Sequence, residues 1–175
     1  MNPDEESPPN SLPPPDTSTE TEADSYTPRS TLKRITSNST STVMKCTQLG
    51  ITRAITGAES MEDRDILIKD FFTVVIYFFP SSGSTANKTP PHPFNDFKFK
   101  DYSPAAFKYF RKAYSIESAN YMKSLCGEEL KELSSSGASG SMFFKSHDDL
   151  YVLKSLDHRE AKFMHQIMAG YFLVF

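Results

Sequence analysis

A run of small residues near the middle of the second half of the chain has the composition of an anion-binding loop. Gly137, Ala138, Ser139, Gly140 and Ser141 follow one another without a single large side chain. Small residues let backbone N–H groups approach a phosphate closely, and glycine tolerates the φ angles that a tight hairpin tip requires. The run therefore predicts a hairpin tip that could cover an anion, although an ordinary glycine turn has the same composition.

A lysine and a glutamate follow this run at a spacing that suits nucleotide binding. Lys154 lies in an apolar segment, Leu150–Leu156, that predicts a strand, and Glu160 lies near the start of a predicted helix, Asp157–Ala169. A strand lysine under a glycine-rich flap can pair with the α- and β-phosphates of ATP, and a helix glutamate can pair with the lysine. Each feature is common by itself, so the prediction depends on their order. A Walker loop is excluded, because no Gly-Lys-Ser/Thr follows the glycines.

Strands and helices must position these residues, and the first elements are predicted between residues 41 and 102. Residues 41–57 favour a short helix or turn, and apolar spacing around Ile66 favours a helical turn. The aromatic and β-branched run Phe71–Phe79 predicts a buried strand that ends at Pro80. A loop at 81–93 precedes residues 94–102, where phenylalanines alternate with lysines as in a half-buried strand.

The next element is predicted to be a helix that begins with a hydroxyl cap. Ser103 would cap it and Pro104 would occupy its first position. Phe107, Phe110 and Tyr114 recur at helical spacing, which predicts a stripe packed on a sheet. A further helix and three strands follow this helix in the predicted order of elements. They are predicted at Ala119–Leu125, Leu130–Ser135, Met142–Ser146 and Leu150–Leu156, with a turn at Asp148-Asp149.

Composition separates residues 1–40 from the rest of the chain. They contain seven of the twelve prolines and almost no large apolar side chains, so they cannot bury enough surface to offset the entropy of ordering. The net charge of −3 divides into −7 for residues 1–27 and +4 for residues 28–175. We therefore expect a disordered acidic arm at 1–40 and a mildly basic domain at 41–175.

Several classes of protein are disfavoured by the sequence. Cys46 and Cys126 are too few for a disulfide scaffold, and no Cys/His spacing suits zinc. The longest apolar run, Phe71–Phe79, is far shorter than the roughly 20 residues of a membrane-spanning helix. A signal-peptide pattern is not seen, so a reducing compartment is expected. The basic residues form no stripe, so we expect no nucleic-acid partner.

Beyond these patterns, the stretch from about Val43 to Tyr171 resembles the N-terminal part of the type I phosphatidylinositol-phosphate kinases, the phosphatidylinositol 4-phosphate 5-kinases. The resemblance is specific because it combines an aromatic helix with the small-residue run and the strand lysine. The segments that carry it are QLGIT (48–52), RDILIKDFF (64–72), FFPSSGS (78–84), FNDFKFKDYSPAAFKYFRKAYSI (94–116), SLCGEEL (124–130), ELSSSGASGSMFF (132–144), DDLYVLKS (148–155), HREAKF (158–163) and AGY (169–171).

The resemblance implies an α+β fold, an antiparallel sheet with flanking helices that forms a kinase small lobe. This lobe would bind ATP with Mg²⁺, and the kinase would transfer phosphate to phosphatidylinositol 4-phosphate, giving the 4,5-bisphosphate. ATP would lie under Gly137–Ser141 with Lys154 on its phosphates, and residues 41–100 would form a dimer-forming layer. The family also implies a basic side that faces an anionic membrane, and hence a cytoplasmic protein at the periphery of the plasma membrane. The basic candidates are Lys98, Lys100, Lys108, Arg111 and Lys112.

Two departures from the family pattern affect the expected activity. The family commonly has His-Lys-Glu-Ala-Glu after the strand lysine, whereas this chain has Lys162 in place of the second acid, which leaves Glu160 as the expected partner of Lys154. The family also continues well beyond Phe175 with its catalytic aspartate loop, its magnesium ligands and its lipid-selecting loop. We therefore expect the chain alone to lack kinase activity. The alternative is a non-catalytic module that dimerises, with itself or with a full-length kinase, or binds a membrane surface.

Overall fold

The computed structural model describes residues 40–133 and 140–172. The predicted arm at 1–40, apart from Thr40, lies outside the described residues, as do Gly137, Ala138 and Ser139. The described part is a mixed domain of helices and antiparallel strands, as the sequence predicts. Its elements are α1 (Thr40–Glu59), a 3-10 helix (Ile68–Phe71), β1 (Val74–Phe79), β2 (Phe97–Tyr102), α2 (Pro104–Ala113), α3 (Ser118–Cys126), β3 (Lys131–Leu133), β4 (Phe143–Lys145), β5 (Val152–Lys154) and α4 (His158–Phe172).

Helix α1 is longer than the short helix or turn predicted at 41–57, because tertiary packing stabilises it over 20 residues. It lies on strands β1 and β2 and also contacts α2 and α3. Gly50 faces the Phe99 ring so closely that a Cβ atom there would overlap the ring. Arg53 lies over the Tyr77 ring at 4.6 Å from its centroid. Glycine at position 50 thus permits the close approach of the helix to the sheet.

Strands β1 and β2 form an antiparallel pair with registers from Val74–Tyr102 to Phe79–Phe97. The predicted buried strand Phe71–Phe79 is wrong in two respects. It begins only at Val74, because Ile68–Phe71 form a 3-10 turn, and it is buried on one face only. The half-buried strand predicted at 94–102 is confirmed as β2, with alternating burial.

The other three strands form a separate sheet in the order β3–β4–β5, and both pairs are antiparallel. Buried Leu130 and Phe144 pack with Met44 of α1, and this contact attaches the second sheet to the helix. Each predicted strand exists, but each is only three residues long. Instead of the one antiparallel sheet expected, the described residues therefore form two.

The start of α2 differs from the predicted hydroxyl cap. Ser103 precedes the helix with a left-handed φ of 54° and makes no side-chain cap. Its buried hydroxyl donates instead to the Phe71 carbonyl oxygen at 2.6 Å, which ties α2 to the 3-10 helix. Pro104 occupies the first helical position, as predicted.

The apolar stripe of α2 is not buried against a sheet. Phe107 and Tyr114 are 43% and 54% exposed, whereas Ala106 is fully buried. The helix contacts α1 and the 3-10 helix, where the small Ala106 side chain allows close packing. Phe110 of the stripe packs against the cluster that Ala106 shares with Phe71 and Met168.

Helix α4 extends three residues beyond its predicted end at Ala169 and packs against the 3-10 helix. Of the apolar residues on this helix, Met168 is buried, while Met164 and Ile167 are 44% and 37% exposed. Within residues 40–133 and 140–172, no helix has the length and apolar character to cross a membrane.

Candidate functional site

The small-residue run, as far as it is described, lies at the same end of the second sheet as Lys154. Lys154 ends β5 directly opposite Phe143, the first residue of β4. One residue further, the Met142 N–H donates to Ser155 Oγ and the Ser155 N–H donates to the Met142 carbonyl oxygen, both at 2.8 Å. The chain that enters β4 from Gly140 therefore runs beside the chain that leaves Lys154.

The two described residues of the run differ in their surroundings. Gly140 has a left-handed φ of 64°, and the space where its Cβ atom would lie is open. This backbone conformation and this clearance are what a phosphate-covering loop needs. Ser141 is buried, so it belongs to the base of the loop and its side chain is not displayed at the surface. The predicted tip at Gly137–Ser139 lies outside the described residues.

Lys154 and Glu160 are brought together by the connection between β5 and α4. Lys154 Nζ lies 2.8 Å from Glu160 Oε1, and the two side chains are 35% and 41% exposed. The hydrogen bond from Lys154 lowers the pKa of the Glu160 carboxyl, and a backbone N–H from Asp157 lowers it further. The ammonium group is thus held at the strand end while part of it faces solvent.

Asp157 is a residue of this site that the sequence analysis missed. Its Oδ1 atom accepts the Glu160 backbone N–H at 2.7 Å, and its own backbone N–H donates to Glu160 Oε2 at 3.0 Å. These reciprocal bonds are a capping box at the first turn of α4. The pKa of the Asp157 carboxyl is lowered, mainly by the Glu160 N–H. An Asp-x-x-Glu pattern before an apolar run is a sequence signature that would have identified it.

The turn between β4 and β5 is fixed by a second aspartate. Asp148 Oδ1 accepts the hydroxyl groups of Ser124 and Ser146, both at 2.7 Å, and the Leu150 N–H at 3.2 Å. These bonds lower the pKa of Asp148 to about 2, with the Ser124 hydroxyl as the largest cause. Asp149 then adopts a left-handed φ of 64°, which completes the turn predicted at these two residues. The network ties the hairpin that carries Lys154 to helix α3.

Lys162, which stands where the family commonly has a second acid, lies exposed on α4. The contact with Lys154 comes from Glu160, two residues nearer the start of the helix. The replacement at Lys162 therefore leaves the Lys154–Glu160 ion pair intact.

The five basic residues proposed as one membrane-facing side do not form a single free surface. Lys108 and Lys112 both bind Asp63, at 2.8 Å and 2.9 Å, and their hydrogen bonds lower the pKa of its carboxyl to about 2. Arg111 lies 3.7 Å from Glu59 and is only 13% exposed. The expected basic face on α2 is thus largely neutralised by the carboxylates of Asp63 and Glu59.

Lys98 and Lys100 behave differently, because they lie on the open face of β2. They stand opposite Phe78 and Ile76, which are 40% and 56% exposed. We call this surface the open sheet face. It comprises Val74, Ile76, Phe78, Lys98, Lys100 and Tyr102.

The arrangement at Lys154 can bind an anion next to an exposed backbone. It combines a partly exposed ammonium group, an oriented carboxylate and a loop base with an open glycine, which are the parts that grip phosphates in kinase small lobes. A magnesium site is a different matter. Over the two described ranges, no group of three or more His, Cys, Asp or Glu side chains could hold a metal ion. No described side chain is assigned to Mg²⁺.

Comparison with known proteins gives consistent matches. Residues 124–174 match the family model described as Phosphatidylinositol-4-phosphate 5-Kinase. Phosphatidylinositol 4-phosphate 5-kinase type-1 alpha of Rattus norvegicus is 48% identical over 126 residues, which are 72% of this chain and 23% of that relative. The human type-1 alpha protein gives 48% identity over 72% of this chain and 22% of its own length. The type-1 beta protein of Gallus gallus is 43% identical over 82% of this chain and 26% of its own length.

The family model covers β3, β4, β5 and α4, which are the elements that carry the candidate site. The relatives extend the similarity to most of the chain, including the first sheet. The chain spans about a quarter of the length of the curated relatives that it matches. By these matches, the chain belongs to the phosphatidylinositol-phosphate kinase family, with type I members as its relatives.

Proposed function

We propose that this chain supplies the nucleotide-binding part of a lipid kinase that phosphorylates phosphatidylinositol 4-phosphate to the 4,5-bisphosphate with ATP. The names of the relatives support this reaction, although the chain spans about a quarter of their length. One structural observation carries the proposal. Lys154 Nζ is held 2.8 Å from Glu160 Oε1 at the strand end that adjoins Gly140.

In this proposal each residue has a role set by its chemistry. Lys154 binds the α- and β-phosphates of ATP, and Glu160 keeps the ammonium group at the strand end. The run Gly137–Ser141 covers the phosphates with backbone N–H groups, from Gly140 outward. Phosphoryl transfer depends mainly on positioning and charge neutralisation, so a fixed cation beside the phosphates is the contribution expected of this lobe. Mg²⁺ would add further neutralisation when bound with the nucleotide.

Isothermal titration calorimetry with MgATP tests the nucleotide role. Lys154→Ala should remove most of the binding, because the variant lacks the side-chain cation that the proposal places on the phosphates. Lys162→Ala is the matched control, since Lys162 is an exposed lysine on the adjoining helix and outside the ion pair. Equal loss in both variants, or unchanged binding in Lys154→Ala, would contradict the assignment.

We also propose that the open sheet face binds the anionic cytoplasmic leaflet of the plasma membrane, where the lipid substrate resides. Ile76 and Phe78 offer exposed apolar side chains on β1, directly opposite Lys100 and Lys98 on β2. Lysines near an anionic membrane are attracted to its negative surface potential, and salt screens this attraction. The chain would then be a peripheral protein of the cytoplasmic side.

Sedimentation with vesicles of phosphatidylcholine and phosphatidylserine tests this surface. A Lys98→Glu/Lys100→Glu double variant should lose binding, whereas Lys123→Glu, which reverses an exposed lysine on α3, should keep most of it. Binding of the wild-type chain should weaken as salt rises. Salt-independent binding, or equal effects of the two charge reversals, would refute the proposal.

A second candidate function is a non-catalytic module that dimerises through residues 41–100. The same exposed row, Val74, Ile76 and Phe78, favours it, because such a row is also suited to packing against another protein. The partner would be a second copy or a full-length kinase. Sedimentation velocity separates the two candidates. Ile76→Glu should dissociate a dimer in the absence of lipid, and a wild-type chain that is monomeric at all concentrations and captures no full-length kinase would exclude this function.

A further inference from the structure

The connection between β5 and α4 holds Lys154 through a chain of local contacts. Asp157 and Glu160 exchange two hydrogen bonds, from each backbone N–H to the other carboxylate. Glu160 Oε1 accepts a hydrogen bond from Lys154 Nζ at 2.8 Å. Both oxygens of the glutamate are therefore used, one by the helix cap and one by the strand lysine.

We propose that Asp157 is a positioning residue for the candidate nucleotide lysine, because its capping box fixes the Glu160 carboxylate at Lys154 before any nucleotide arrives. The inference rests on the proposed nucleotide role of Lys154. Asp157 is then a further residue of that site, and its hydrogen bonds with Glu160 are what keep the Lys154–Glu160 pair ordered. Asp157 makes its hydrogen bonds to Glu160, and it positions Lys154 through that carboxylate.

Lys154, Asp157 and Glu160 are close to one another in the sequence. The three groups lie within seven residues, with only Ser155 and Leu156 between Lys154 and Asp157. The Ala161 N–H donates to the Asp157 carbonyl oxygen at 2.9 Å, so Asp157 is the residue at which the helix hydrogen bonding begins. The pair is thus built by the first turn of α4 and the strand end, and its geometry does not require the packing of the far end of the helix.

The Glu160 side chain is restrained by a partner other than Lys154. A surface ion pair between free side chains is weak, partly because holding two long side chains in one geometry costs entropy. The bond from the Asp157 N–H to Glu160 Oε2 restrains the carboxylate independently of the lysine. Less entropy is then lost when Lys154 binds Oε1.

NMR of the nucleotide-free chain with labelled Glu and Lys side chains tests this positioning. In the wild-type chain the pKa of the Glu160 carboxyl should lie below its ordinary value, and Lys154 Hε should show a contact with Glu160. Asp157→Ala should weaken this contact, because it removes the carboxylate that accepts the Glu160 N–H and closes the first turn of α4. Asp157→Asn should restore the contact, because an asparagine oxygen can still accept the Glu160 N–H.

Glu160→Gln separates the helix cap from the ion pair. Its amide oxygen can still accept the Asp157 N–H, so helix content should remain while Lys154 loses its charged partner. If Asp157 only stabilised the helix, Asp157→Ala would lower helix content but leave the contact between Lys154 and Glu160 unchanged in the folded population, and the proposal would be wrong.

The nucleotide role is examined separately, by titration of the same variants with MgATP. Asp157→Ala should weaken binding in the same direction as Glu160→Gln, and Asp157→Asn should bind like the wild-type chain. If the wild-type chain does not bind MgATP, the proposed function fails, while the nucleotide-free NMR still decides whether Asp157 positions the pair. If MgATP binds equally well to all variants although the pair is lost, the positioning has no bearing on the nucleotide and the proposal is overturned.

Discussion

Asp101 gives the sharpest prediction about how this fold depends on pH. It lies on β2 opposite Val75 and faces the same side as Phe99, which packs against α1. Burial raises the pKa of its carboxyl to about 6 from an ordinary value of 3.8, and the positive charge of Arg111 offsets part of the rise. The folded chain therefore prefers this carboxyl in its protonated form.

The sign of the effect follows from linkage between protonation and folding. The pKa is higher in the folded chain, so the stability contributed by the protonated carboxyl is fully present below pH 3.8 and is lost as the pH rises through about 6. The difference in pKa corresponds to at most about 3 kcal/mol at neutral pH. Because water still reaches part of the side chain, we expect about 1–2 kcal/mol.

Asp101→Asn should remove this pH dependence. At pH 7 the variant should be more stable than the wild-type chain by about 1–2 kcal/mol, and near pH 4 the difference should disappear. Urea unfolding followed by circular dichroism from pH 4 to pH 8 measures it. Asp65→Asn, at an exposed aspartate, is the control. Parallel stability curves for Asp101→Asn and the wild-type chain over this range would refute the reasoning.

Three further predictions concern contacts that hold the first sheet and its helices, each measured by urea unfolding. Gly50→Ala should destabilise by about 1–3 kcal/mol, because its Cβ atom overlaps the Phe99 ring; wild-type stability would show that the ring can move. Asp70→Asn should lower the free energy of unfolding by about 1–3 kcal/mol, since buried Asp70 accepts two N–H groups of Arg64. This difference from the wild-type chain should vanish as the pH falls from 3.8 through about 2. Ser103→Ala should lower the free energy of unfolding by about 1–2 kcal/mol, because the buried Ser103 hydroxyl donates to the Phe71 carbonyl oxygen. An unchanged free energy of unfolding would contradict this.

Local sequence patterns predicted most elements of the fold. Alternating phenylalanine and lysine identified β2, and the small-residue run identified the approach to β4. The patterns failed where tertiary contacts decided the outcome. Helix α1 extends to 20 residues because it covers the first sheet, and Ser103 turns away from a cap because the Phe71 carbonyl lies within reach of its hydroxyl. Neither the first sheet nor the Phe71 carbonyl is part of the local sequence pattern from which α1 and the Ser103 cap were predicted.

The candidate site shows the same division. Lys154 and Glu160 are six positions apart across a strand–helix connection, so their pairing could be expected from sequence. Asp157 could also have been found, since its capping pattern is local. The neutralisation of Lys108 by Asp63 could not, because these residues are 45 positions apart and meet only through the packing of α2.

The central claim, that Lys154 and the adjoining loop bind a nucleotide, is tested most directly by paramagnetic NMR with MnATP. Bound Mn²⁺ broadens the signals of nearby amides, so broadening in the wild-type chain should centre on Gly140, Ser141 and Lys154. Lys154→Ala should abolish it, and Mn²⁺ without ATP should not reproduce it. Broadening that centres elsewhere, or that persists unchanged in Lys154→Ala, would contradict the account.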